Sequence, residues 1–201
     1  MLLKEKENNM KKAFTIVEVS ILFVIFLIVA FLVAPLSLDD TLQAKNVSNW
    51  KNLQDDFANI FYSINTEKDN TDFNFAKTFN LVMQSEIKSD ILPYKITYMN
   101  GAYPNSKYRF NDYKQTNKKA VVAYKLYDKP ENNIYGILMY DINGQVGPNV
   151  WGKDVFGFNI YEDRFEPFCK SEPIKIQEKE CSKSGNGLCC SNYYLIGGKL
   201  N

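Results

Sequence analysis

Histidine is absent from this chain of 201 residues, and with it go the commonest general base and the commonest metal ligand. Ser-His-Asp and Cys-His nucleophilic chemistry are therefore excluded. Paired carboxylates could still cleave glycosides, but no two acids stand apart from ordinary surface residues, so no catalytic pair is expected. An excess of charge is missing too. Twenty-four basic residues against 23 acidic ones leave +1, which provides no broad electrostatic footprint for nucleic acid. The local run of Lys114, Lys118 and Lys119 reads as a solvated loop. Repeats and low-complexity tracts are lacking, as are the two separated C-x-x-C hooks that a four-cysteine zinc site uses.

What the chain does have is one long apolar run. From Phe14 to Leu38 the only charged residue is Glu18, and a helix of about 25 residues rises about 37 Å, enough for a hydrocarbon core of about 30 Å. The preceding flank carries Lys4, Lys6, Lys11 and Lys12 against Glu5 and Glu7, and the following one opens with Asp39 and Asp40. Positive-inside logic puts the amino terminus in the cytoplasm and residues from about 39 outside. The run exceeds the apolar core of a secretory signal, which argues against cleavage at its far end. Glu18 is the anomaly, because a carboxylate is unfavourable within a membrane-spanning helix.

Lys11-Lys12-Ala13-Phe14-Thr15-Ile16-Val17-Glu18 ahead of a hydrophobic stretch resembles the leader and mature amino terminus of type IV pilins and type II secretion pseudopilins. The resemblance implies that a prepilin peptidase cuts between Ala13 and Phe14 and that Phe14 becomes N-methylated. The sequence departs from the family at Ala13, where Gly is preferred. Pro35 falls where many pilins carry a helix-bending proline, and a kink or local melt is expected there. The implied organisation is a cytoplasmic leader over 1–13, a transmembrane and filament-core helix over 14–38, and an extracytoplasmic globular domain over 39–201. Glu18 would pair with the amino group of Phe14 on a neighbouring subunit, so that its burial is compensated on assembly.

Beyond the membrane segment, Leu42, Val47, Trp50, Leu53, Phe57, Ile60, Phe61 and Ile64 recur mostly at three- and four-residue steps, which continues the helix as an amphipathic stem. Thr71 to Ile91 reads as a further helix ended by Pro93. Short runs rich in Tyr, Val, Ile and Phe follow: 94–99, 120–127, 134–141, 155–161 and 193–196 are the expected strands, with a hairpin turn over 128–133. Helix first and antiparallel strands after is an α+β order.

Two further clusters stand out. The loop from Asp141 to Asp154 contains three glycines, Pro148 and the oxygen-bearing Asp141, Asn143, Asn149 and Asp154, a set that could wrap Ca²⁺. Some pseudopilins carry a calcium site in a loop after their sheet. The spacing fails the EF-hand pattern, however. Tight turns at Asn143-Gly144 and Gly147-Pro148, with Asp141 bonding nearby amides, are the preferred reading. No cofactor is expected. Cys169, Cys181, Cys189 and Cys190 are even in number and lie on the exported side, which reads as two disulfides. A bond between the neighbours Cys189 and Cys190 is strained, and two crosswise pairings remain. The segment 170–188 shows no strand pattern and reads as an exposed loop pinned by these bridges. A carboxy-terminal disulfide-bounded loop is also a feature of many type IV pilins.

The reading is a single-pass protein of the cytoplasmic membrane that passes into an extracellular or periplasmic filament. Its partners would be other pilin or pseudopilin subunits, the prepilin peptidase, the membrane and an inner-membrane assembly platform, without nucleic acid. The alternative is a signal-anchored extracytoplasmic binding module that does not polymerise.

Overall fold

A computed structural model describes residues 15–67, 92, 94–110, 113–116 and 119–200, with only the backbone described at 33–40, 60, 61, 63–65 and 67. Ala13, Phe14, Lys118 and the helix expected over 71–91 lie outside these residues. The chain divides into two compact units, Met1–Leu42 and Gln43–Asn201.

The first helix, α1, runs unbroken over Ile16–Glu67. Its backbone stays helical through Pro35, so the expected local melt there does not occur. A single proline removes one backbone bond, and a helix can absorb that loss by bending rather than by opening. Ahead of 33–40, the large side chains of Ile16–Leu32 are 44–86% exposed. Among the described residues no helix is long and apolar enough to cross a membrane. The bare side chains described cover about 25 Å of helix, and the span expected over 14–38 extends past them at both ends.

In the second unit five strands form one antiparallel sheet in the order β1 (Tyr113–Gln115), β2 (Val121–Glu131), β3 (Ile134–Asp141), β4 (Val155–Ile160) and β5 (Phe165–Pro167). Both faces of its centre are buried, which explains why Ile137 to Tyr140 is continuously apolar rather than alternating. The pleat sends Val122, Leu138, Tyr140, Phe156, Phe158 and Ile160 to one face, where Trp50 and Phe57 of α1 join them. Val121, Ala123, Ile137, Met139 and Val155 go to the other, against Phe110, Trp151, Phe168 and Leu188.

The strand expectations hold for β2, β3 and β4 and fail elsewhere. The hairpin between β2 and β3 turns on Asn132 and Asn133 alone, both at positive φ. That is the signature of a two-residue primed turn, so β2 extends through much of the expected 128–133 connection. Segment 94–99 forms one isolated parallel bridge, Thr97 to Val150, and no longer strand. Residues 193–196 are not a strand: the helical turn α3, Cys190–Tyr193, continues with Ile196 N–H donating to Asn192 O. The reason is burial, since a helical step of four places Cys190 and Tyr194, 0% and 1% exposed, together against the α1 side of the sheet. Segment 170–188 is more than a loop, for it contains the helix α2, Ile174–Glu180. Gln177 is buried there, donating to Glu172 O at 2.7 Å and accepting from Asn192 Nδ2 at 2.9 Å. Lys114 is 2% exposed in β1 and so is not a solvated loop residue.

Candidate functional site

Three places gather the residues that the sequence singles out. At the start of α1, the Glu18 carboxylate accepts from both Thr15 N–H and Thr15 Oγ1–H at 2.9 Å, and Glu18 N–H donates to Thr15 Oγ1 at 3.3 Å. This is a capping box, T-x-x-E with Thr15 as the cap, and it satisfies helix-end donors that otherwise have no partner. The pattern was legible in Thr15-Ile16-Val17-Glu18, and the reading of Glu18 as a group compensated only on assembly missed it. The carboxylate already has two donors within its own chain.

The second place is the loop between β3 and β4. Asp141 and Asp154 are both 0% exposed. Asp141 Oδ1 accepts from Gly144 N–H at 2.8 Å and Asn143 N–H at 3.2 Å, and Oδ2 accepts from the Tyr94 hydroxyl at 2.7 Å. Asp154 accepts from Asn149 N–H at 2.8 Å and Val150 N–H at 2.7 Å, and its own backbone carbonyl takes Ile142 N–H. Each carboxylate thus closes one end of the loop on its own backbone, as the tight-turn reading requires. Gly144 is needed at φ +63°, where a β-carbon would also run into Lys119 O. Gly152, at φ +86°, lies against Cys190 Sγ and Gly187 O. The Asn143 and Asn149 side-chain oxygens are buried without a partner among the described residues, so the loop holds two neutral acceptors beside two carboxylates that already meet donors. Among the described residues no group of three His, Cys, Asp or Glu side chains is placed to hold a metal ion.

Burial pushes Asp141 up from its ordinary 3.8 to about 7. The Tyr94 hydroxyl and the two amides pull the other way, and the charge of Asp154 adds to the rise. Asp154 is raised as well, chiefly by burial and against its amide donors. Tyr94 is raised by burial first and then by Asp141. An acid whose folded pKa exceeds its unfolded one binds more protons when folded, so its contribution to stability falls as pH rises between the two values. We expect the denaturant midpoint to fall between pH 4 and pH 7 by more in the wild type than in Asp141→Asn, which cannot ionise. Parallel profiles for the two proteins would refute the assignment.

The third place is the cysteine cluster. Cys169 bonds Cys189 and Cys181 bonds Cys190, leaving no free thiol. This is one of the two crosswise pairings. The adjacent cysteines diverge: Cys181 and Cys190 sit in the core facing α1, while Cys169 packs against the opposite core. One dipeptide therefore ties the end of the chain to both faces of the sheet.

Neither Ala13 nor Phe14 falls within the described residues, so the processing site has no geometry to report. The link from Tyr94 to Asp141 spans 47 positions and had no signal in the sequence. No protein-family model, curated protein or solved structure matches the chain.

Proposed function

We propose that the chain is a pilin-like structural subunit, cut by a prepilin peptidase between Ala13 and Phe14, held in the cytoplasmic membrane by 14–38, and drawn by an assembly platform into a type IV pilus or type II secretion pseudopilus. It carries out no catalysis itself. The observation that supports this reading best is the division of labour along α1. One continuous helix presents bare apolar side chains over Ile16–Leu32, then buries Trp50 and Phe57 against an antiparallel sheet. A bare apolar helix of that kind is stable only in lipid or against other helices. Small Ser20, bonded back to Ile16 O at 2.8 Å, leaves a shallow apolar groove with Ile16, Val17, Ile21, Val24 and Ile25.

Intact mass of the membrane-extracted protein tests the reading, with loss of residues 1–13 as the expected result. A protein that keeps Met1 to Ala13 in a host with active prepilin peptidase is the anchored, non-polymerising binding module instead. The capping box refines the part played by Glu18. Glu18→Gln keeps an acceptor for Thr15 but removes the charge, and Glu18→Val removes both. If Glu18 also pairs with a neighbouring amino terminus, both variants should insert in the membrane and both should enter sheared filaments poorly. Normal incorporation of Glu18→Gln would confine the residue to helix capping.

We also propose that the Asp141 to Asp154 loop is held by its own backbone bonds without calcium. Chelation should then leave the melting temperature of the protein unchanged, since a ligand bound only to the folded state would add concentration-dependent stability. A calcium-dependent rise of several degrees, lost in Asp141→Ala, would assign the ion to Asp141, Asn143, Asn149 and Asp154.

A further inference from the structure

Between Tyr94 and Phe110 the chain carries Lys95, Lys107 and Arg109 and no acid at all, and the fold gathers these cations around a single turn. The 3₁₀ turn Ser106–Tyr108 is capped by the side chain of Asn105, which accepts from Lys107 N–H at 3.1 Å. Arg109 Nε donates to Pro104 O at 2.9 Å, and Lys125, reaching over from β2, donates to Ser106 O at 3.3 Å. Lys95 Nζ lies 5.7 Å from the centre of the Tyr103 ring, which is 61% exposed. All four cations are exposed. Among the described residues none of the four has a carboxylate within 4.0 Å, whereas Arg164 and Lys170 on the far edge of the sheet share Glu166. Lys107, Arg109 and Lys125 meet at this turn with Lys95 beside Tyr103, and among the described residues backbone carbonyls and the Tyr103 and Tyr108 rings soften the repulsion between these like charges.

We propose that this surface binds an acidic polysaccharide, with hexuronate carboxylates meeting Arg109, Lys107 and Lys125 and a pyranose ring resting on Tyr103. Charge complementarity selects a polyanion, and the planar guanidinium of Arg109 matches a carboxylate fork. The aromatic content selects a glycan over single-stranded nucleic acid. Base stacking along a strand needs a series of open rings, and the other tyrosines at the turn are half-buried, Tyr98 bonded to the Asn105 backbone and Tyr108 with its ring against Trp151 and Phe168. Among the described residues of the turn that leaves Tyr103 as the open platform, enough for one apolar sugar face. The inference does not depend on polymerisation, since every residue it uses lies in the sheet-bearing unit.

The test uses the full chain in neutral detergent, with fluorescently labelled oligogalacturonate as the probe and its methyl ester and a DNA duplex as comparisons. Oligogalacturonate should bind, its neutral ester should not, and added salt should weaken binding as it does for exposed charges. Lys107→Glu with Lys125→Glu should weaken binding by about tenfold or more. Lys175→Glu with Lys179→Glu, which changes net charge equally on exposed α2, should change it less than about twofold. Tyr103→Ala, which deletes an exposed ring and leaves the core intact, should weaken it about threefold. Absence of oligogalacturonate binding, or an equal loss in both double variants, would overturn the proposal. Tighter binding of the DNA duplex with indifference to Tyr103→Ala would reassign the surface to a phosphate polymer.

Discussion

Trp50→Ala is expected to remove about 3–5 kcal/mol of stability through the lost side chain and its cavity, and to strand a buried acceptor as well. Trp50 is wholly buried, stacks on Phe156 at 4.8 Å and 18°, and lies 4.7 Å from Phe158. Its indole N–H donates to Ser191 O at 2.8 Å in α3. One side chain therefore joins the helix, the centre of the sheet and the disulfide-tied end of the chain. Trp50→Phe separates the two contributions, because it keeps much of the aromatic contact and abandons Ser191 O, for which a loss of about 1–3 kcal/mol is expected. Denaturant midpoints of the full chain in detergent, followed through the remaining Trp151, give both values. A loss under about 1 kcal/mol for Trp50→Ala would mean that α1 does not dock through this residue.

That docking was legible because its signal was local. Trp50, Leu53 and Phe57 recur at helical spacing, and Ile137 to Tyr140 in β3 form an apolar run that fits a strand buried on both faces. The loop residues Asp141, Asn143, Asn149 and Asp154 were singled out by side-chain type, and the fold does bring them together. What closes the loop was not legible. Tyr94 reaches Asp141 from a segment with one isolated bridge and no strand, and a partner 47 residues away leaves no periodic trace. Residues 193–196 failed for the opposite reason. Tyr-Tyr-Leu-Ile has the composition of a strand, but two disulfides and the packing of Tyr194 against Phe156 override that preference. Glu18 shows a third kind of miss, since its capping pattern was present in the sequence and the apolar run around it drew the explanation towards assembly.

Removing both disulfides, by changing all four cysteines to alanine, is expected to leave the sheet-bearing unit largely unfolded at ordinary temperature. The bridges close segments with sequence separations of 20 and 9 residues, and in the chain-entropy account each is worth about 3 kcal/mol. Together they approach the whole stability of a typical domain, about 5–15 kcal/mol. Burial sets the order in which the bonds should open. Cys181 and Cys190 are 1% and 0% exposed inside the core beneath α1, whereas Cys169 is only half-buried where the chain leaves β5. A thiolate must reach a sulfur to exchange with it, so mild dithiothreitol under native conditions should reduce Cys169–Cys189 first. Cys181–Cys190 should open only as the protein unfolds. Alkylation timed against loss of the folded signal, followed by peptide mapping, distinguishes the two bonds. Early labelling of Cys181 in protein that is still folded would show that the core beneath α1 opens on its own, and would place the weak point of the unit at its helix rather than at the end of its sheet.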